Sequence, residues 1–127
     1  MKLSLRCEYA LLALVCVARD GSSTQETIRD IRRVPEGLLT EVMSALVEAN
    51  YLRQTSDGFR LAKRPARISV AEIIRLFDGA LAPMEPISQK GYGLSPMEQE
   101  SSLAGLFASI EIEIANRLEA TSLADLC

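Results

Sequence analysis

Apolar residues crowd positions 5–19 on nearly every side, so the first element reads as a helix buried on most faces and closed by Asp20-Gly21. Ser23-Thr24-Gln25-Glu26 has the spacing of a capping box, with Ser23 bonding a helix amide and Glu26 reaching back. It predicts a short helix over residues 24–32 with Ile28 and Ile31 inward. Val34-Pro35 breaks that helix, because the residue before a proline is pushed out of the α region. A third helix is predicted over 35–49, with Leu39, Val42, Leu46 and Val47 at core spacing. Residues 51–54 and 59–62 read as short strands around the turn signal Ser56-Asp57-Gly58.

The pattern then returns to helix. Ser69-Val70-Ala71-Glu72 is a second capping box, followed by Ile73, Ile74 and Phe77 inward with Val70, and Gly79 ends the element. Residues 80–95 have no period and contain Pro83, Pro86, Gly91 and Gly93, which predicts a loop. A third capping box, Ser95-Pro96-Met97-Glu98, is expected to open the longest helix, running to about Glu119. Leu103, Leu106, Phe107, Ile110, Ile114 and Leu118 form one stripe along it, with Glu98, Glu100, Glu111 and Glu119 elsewhere. A helix of roughly 33 Å exceeds what a small core can cover, so the seam calls for a second copy in a two-fold dimer.

Helix, short helix, turn, helix and basic hairpin, in that order, make a mainly α winged helix-turn-helix with a small β-hairpin wing and a long C-terminal dimerisation helix. The organisation follows: a DNA-binding unit over 1–79, a loop over 80–95, and a dimerisation helix and tail over 96–127. The chain's 127 residues are 48% hydrophobic and 24% charged, which fits one ordinary globular domain.

Charge and chemistry narrow the function. The net charge of −3 conceals a split, since residues 1–67 carry 11 Lys+Arg against 8 Asp+Glu and residues 68–127 carry 3 against 9. The front half is therefore the part suited to a polyanion. With no histidine and no tryptophan, the chain lacks the commonest general base and zinc ligand, and no enzyme is expected. Aromatics at 5% leave no stacking platform for single strands. Cys7, Cys16 and Cys127 have no metal-like spacing, and Cys7 and Cys16 fall on opposite sides of one helix. No metal or cofactor is expected, and the odd count fits a reducing cytoplasm. The apolar run over 10–18 is too short to cross a membrane, and no clean leader-peptide cleavage site follows it.

The expected partner is double-stranded DNA. On the third helix, Glu36, Gly37, Thr40 and Glu41 are not needed for the core and stand near the end that enters a major groove. Favourable charge at a helix N-terminus would also account for the two glutamates. Arg32 and Arg33 lie beside the turn within reach of phosphates, and Arg53, Arg60, Lys63, Arg64 and Arg67 sit on the hairpin or just after it. Lys2, Ser4 and Arg6 complete the candidate contacts. Cys7, next to Arg6, is a redox candidate, or else a small buried hydrophobe.

Several segments resemble the winged-helix family of the iron–sulfur-cluster-assembly regulator, the nitric-oxide-sensing repressor and the cysteine-metabolism repressor (BadM/IscR/NsrR-type). They are the opening Met1-Lys2-Leu3-Ser4, the run Glu8-Tyr9-Ala10-Leu11-Leu12-Ala13-Leu14, Gly58-Phe59-Arg60-Leu61-Ala62 in the wing, Ile68-Ser69-Val70-Ala71-Glu72-Ile73-Ile74 after it, and the closing Thr121-Ser122-Leu123-Ala124-Asp125-Leu126. The resemblance implies a homodimeric transcription factor, typically a repressor on palindromic promoter sites, whose third helix reads the major groove while Arg60 enters or flanks the minor groove. Many members hold an iron–sulfur cluster through three cysteines in the loop before the long helix. Here residues 80–95 contain none, and the wing is less glycine-rich than usual. Regulator status carries over; the cluster and its signal do not. A winged helix that docks protein and a regulator gated by a small molecule under loop 80–95 remain as alternatives.

Overall fold

The computed structural model describes residues 2–79 and 96–127, so the predicted loop over 80–95 lies outside the described residues. Helix α1 (Leu5–Asp20) runs through the middle of the domain. Ser4 caps it by accepting from the Cys7 amide, and Gly21 closes it with a positive φ of 78°. Ala10, Ala13, Leu14, Cys16 and Val17 of α1 are buried against Ile28, Leu39, Val42, Met43, Leu46, Leu52 and Phe59. The two cysteines of α1 do part company, as their spacing requires. Cys16 joins this main cluster, while Cys7 joins a second one with Val70, Ala71 and Ile74.

Helices α2 (Gln25–Arg32) and α3 (Glu36–Glu48) follow. The first expected capping box does not form. Thr24 is the N-cap and accepts from the Thr27 amide, because Ser23 is already engaged in a backbone pair with Phe59. The Ser23 amide donates to the Phe59 carbonyl at 3.1 Å, and the Phe59 amide donates back at 2.8 Å. Two backbone bonds outweigh one side-chain cap, so the helix starts one residue later. Ile28 is buried as expected, while the side chains of Ile31 and Arg32 lie outside those described. On α3 the inward set is Leu39, Val42, Met43 and Leu46, and Val47 is 36% exposed rather than buried.

Strands β1 (Leu52–Thr55) and β2 (Gly58–Leu61) pair antiparallel, with Leu52 opposite Leu61, Arg53 opposite Arg60 and Gln54 opposite Phe59. After a 3-10 turn over Pro65–Arg67, helix α4 (Val70–Asp78) begins with the expected capping box. The Ser69 amide donates to the Glu72 carboxylate at 2.7 Å, and this bond holds the Glu72 pKa below its ordinary value. The Tyr51 hydroxyl donates to the same carboxylate at 3.3 Å, tying the base of the wing to α4.

The long helix, α5 (Ser101–Ala120), starts later than its sequence signal. Pro96–Gln99 form a 3-10 turn, and Glu100 is the N-cap, accepting from the Ser102 amide at 3.1 Å. The C-terminal part of α5 packs on α4 through Ala115 and Leu118 and through the Arg75–Glu119 ion pair. The tail then turns back to the core. The Leu123 amide donates to Ile68, the Val70 amide donates to Thr121, and Leu123 is fully buried. No residue of α5 itself is buried.

Candidate nucleic-acid interface

Between α2 and α3 the backbone reverses at Arg33, which adopts a left-handed conformation with φ of 54°, and Val34 plugs the turn into the core at 3% exposure. Arg33 is exposed beside the turn. Proline at the N-cap leaves α3 without a side-chain cap, so its first amides face outward. Glu36, Gly37, Thr40, Glu41 and Ser44 are all exposed and share one face at helical spacing. These include the four positions singled out in the sequence as candidate base contacts, with Ser44 beside them.

Both glutamates on that face are held by arginines from other helices. Arg6 of α1 meets Glu41 at 2.5 Å, and Arg29 of α2 meets Glu36 at 3.2 Å. Gln25 at the start of α2 donates to the Thr40 hydroxyl at 2.6 Å, and that hydroxyl donates to the Glu36 carbonyl at 3.0 Å. The Arg6 pair is half exposed on both sides, so it is worth little as a brace. Its geometry still matters, because it brings the start of α1, with exposed Lys2 and Arg6, to the flank of α3. Ser4 is different. Its hydroxyl caps α1 and its amide donates to Asp78 at 3.0 Å, so this exposed serine also joins α1 to α4.

The wing flanks the other side of α3. A shallow groove between them is lined by Gln25, Thr40, Ser44, Val47, Gln54 and Phe59, among others. Strand alternation puts Arg53 and Arg60 on the opposite face of the hairpin from Gln54 and Phe59. Arg60 therefore does not share the α3 groove, although the resemblance placed it at or beside the minor groove. Sequence reasoning missed Gln25, Arg29, Ser44 and Gln54. Ser44 was legible as the next exposed position after Thr40 and Glu41. The other three depend on contacts between elements distant in sequence.

Cys7 is corrected as a redox candidate. It is fully buried, and burial, helped by Asp78 and Glu8, pushes its thiol pKa up to about 11. A thiol so protonated and enclosed is a poor nucleophile. Cys127 is exposed and directs its thiol to the Leu123 carbonyl at 3.1 Å.

A two-helix reading motif, an exposed face on its second helix and a flanking two-stranded wing define a winged helix-turn-helix DNA-binding protein. The Rrf2 family profile, described as Iron-dependent Transcriptional regulator, matches residues 3–127. The chain belongs to the Rrf2 family of transcriptional regulators. It is 28% identical to a Mycobacterium tuberculosis protein named as an HTH-type transcriptional regulator, over 99% of this chain and 81% of that protein. It is 24% identical to the HTH-type transcriptional regulator CymR of Bacillus subtilis, over 99% of this chain and 89% of CymR. The structure of CymR, the global cysteine regulator of B. subtilis, superposes with a TM-score of 0.81 at 23% identity, covering 99% and 95% of the two chains. T. potens IscR gives a TM-score of 0.67 at 25% identity, covering 99% and 85%. These relatives are regulators rather than enzymes, and no helix among the described residues is long and apolar enough to cross a membrane.

The family description raises the question of iron. Cys7 and Cys16 are sealed in separate clusters, and Cys127 belongs to the C-terminal turn. No three acidic or sulfur donors converge among the described residues, and residues 80–95 add neither cysteine nor histidine. The donor set does not fit an iron–sulfur cluster, which needs about four thiolate or imidazole ligands.

Proposed function

We propose that the chain is a homodimeric repressor that covers a palindromic promoter site and does so without an iron–sulfur cluster. Residues 1–79 bind the DNA, and residues 96–127 join the two copies. Loop 80–95 is left to an effector or a partner protein, and the cytoplasm is the compartment that an odd cysteine count and a DNA target suit. The observation that carries the reading is the exposed face of α3, with Thr40 and Glu41 at its centre and the basic start of α1 at its flank. Thr40 suits a thymine methyl and Glu41 a cytosine amino group, once Arg6 turns from Glu41 to a phosphate. Lys2 and Arg33 are phosphate contacts on either side, as is Arg32 by its place in the chain.

Selection of bound fragments from genomic DNA, followed by salt titration, tests the proposal. Thr40→Ala and Glu41→Ala are expected to relax base preference at fixed positions by about 1–3 kcal/mol and leave the salt slope alone. Lys2→Ala should weaken all sequences alike and reduce the slope by about one. Protein purified without oxygen is expected to be colourless, with binding indifferent to iron, chelator or nitric oxide. Absence of saturable, salt-dependent binding to any fragment would refute the DNA reading, and visible absorption with bound iron would refute its cluster-free part.

A further inference from the structure

The Thr40 hydroxyl, exposed on α3, is engaged within the protein on two sides. It donates to the Glu36 carbonyl at 3.0 Å and accepts from the Gln25 side-chain amide at 2.6 Å. A carbonyl only accepts, so the hydroxyl proton goes to Glu36, and Gln25 has to present its NH2 rather than its oxygen. Thr40 then has no proton left for an acceptor on a base edge, since a hydroxyl carries one. A lone pair and the methyl group remain.

Both partners in this bond are fixed from behind. Half-buried Gln25 opens α2 directly after the N-cap Thr24, and before that Ser23 has its amide and its carbonyl bonded to Phe59. Thr40 follows Leu39 and stands two residues before Val42, both of them fully buried. Threonine in a helix divides between two χ1 rotamers, because its hydroxyl can bond a carbonyl of the preceding turn. The methyl moves with that choice, since hydroxyl and methyl share one Cβ. Thr40 is too exposed for packing to make the choice, and the bond from Gln25 makes it instead.

We infer that Gln25 is a positioning residue for base recognition: by holding the Thr40 hydroxyl it fixes the methyl as the group presented to DNA, and so selects a thymine methyl at that base pair. Gln25 acts through Thr40 rather than by touching DNA. The inference rests on the operator reading and adds a specificity determinant on α2, outside the face of α3.

The test compares full-length protein on an operator and on copies in which each thymine in turn is replaced by uracil, which removes one methyl and nothing else. At one position per half-site the wild type is expected to favour thymine by about fourfold, the worth of one buried methyl. Gln25→Ala should lower that ratio to about twofold or less, and Thr40→Ser, which keeps the hydroxyl, should abolish it. Valine has its χ1 fixed in a helix and carries methyls at both places between which the threonine methyl alternates. Thr40→Val should therefore keep the ratio, and adding Gln25→Ala to it should change nothing, which also shows that loss of Gln25 leaves the motif folded. In the free protein, three-bond couplings to the Thr40 methyl should report a single rotamer that becomes averaged in Gln25→Ala. A wild-type ratio of one at every position, a ratio unchanged by Gln25→Ala, an equal fall in the Thr40→Val background, or an averaged Thr40 rotamer in the wild type would each overturn the inference. Failure of the wild type and every variant to bind any fragment is a different result: it strikes the DNA reading, and the inference falls with it.

Discussion

The double substitution Ile110→Glu/Ile114→Glu is expected to turn the protein into a monomer and to reduce operator affinity by about 10²–10⁴-fold. Helix α5 is 20 residues long, about 30 Å, yet buries no residue within its own chain. Leu103 and Leu106 are 45% and 52% exposed along the stripe, with Phe107, Ile110 and Ile114 half-buried beside them. A second uncovered apolar surface lies on α1, where Leu5 is 56% exposed at a groove it shares with Leu3, Leu11, Leu12 and Val15. In the proposed dimer a second copy would cover both surfaces. Placing two carboxylates at the centre of that contact leaves buried, unpaired charge, at several kcal/mol each. A single half-site then has to hold alone. Leu118, counted with the stripe by its spacing, packs on Val70, Ala71 and Ile74 of its own chain and is left out of the variant for that reason. Ile112, 60% exposed on the opposite side of α5, is the control, and Ile112→Glu should leave the dimer intact. Sedimentation equilibrium decides the matter: a stable dimer of the double variant, or a monomer from Ile112→Glu, would mean that another face makes the contact.

Much of this architecture is legible in the sequence because local rules and tertiary demands agree along most of it. Helix α4 begins at the serine its capping box names, and α1 and α4 both close at the glycines their signals name, whereas the Ser4 cap of α1 was not read from the sequence. Where a distant partner competes, local reasoning misreads the boundary. Ser23 is a good N-cap by its neighbours alone, but Phe59, 36 residues on, takes its backbone. The start of α5 shifts to Glu100 although Ser95 and Glu98 have the right spacing for a box. The candidate site divides in the same way. The exposed face of α3 follows from periodicity, since its core positions are fixed by Leu39, Val42 and Leu46. The bridges Arg6–Glu41 and Arg29–Glu36 join residues on different helices, and no period marks them. Arg53 and Arg60 were visible as basic residues of a wing. Only the register, with Arg53 opposite Arg60 and Gln54 opposite Phe59, shows that they face away from α3.

Gly58→Ala is expected to lower stability by about 3 kcal/mol, through backbone strain and collision together. Gly58 has a φ of 120°, a region that residues with a Cβ rarely adopt. An added Cβ would stand 2.6 Å from the Ser23 carbonyl oxygen, 2.9 Å from its carbon and 3.0 Å from the Thr24 Cα. All three are backbone atoms, so no side chain can swing aside. Relief requires the segment at Ser23 to separate from the wing, which costs the two backbone bonds to Phe59 and loosens a side chain only 7% exposed. Thr24, next in the chain, is the cap of α2, so the disturbance reaches the reading motif as well. Gly21 and Gly79 separate the two causes. Both have positive φ, 78° and 80°, but neither would place a Cβ within 4 Å of another atom. Alanine at either should therefore show conformational strain alone, about 1–2 kcal/mol. Chemical denaturation of the three variants measures the difference. Operator affinity should fall most for Gly58→Ala, because Gln54 and Phe59 line the groove beside α3. A Gly58→Ala protein as stable as Gly21→Ala would show that the wing does not depend on its close approach to Ser23.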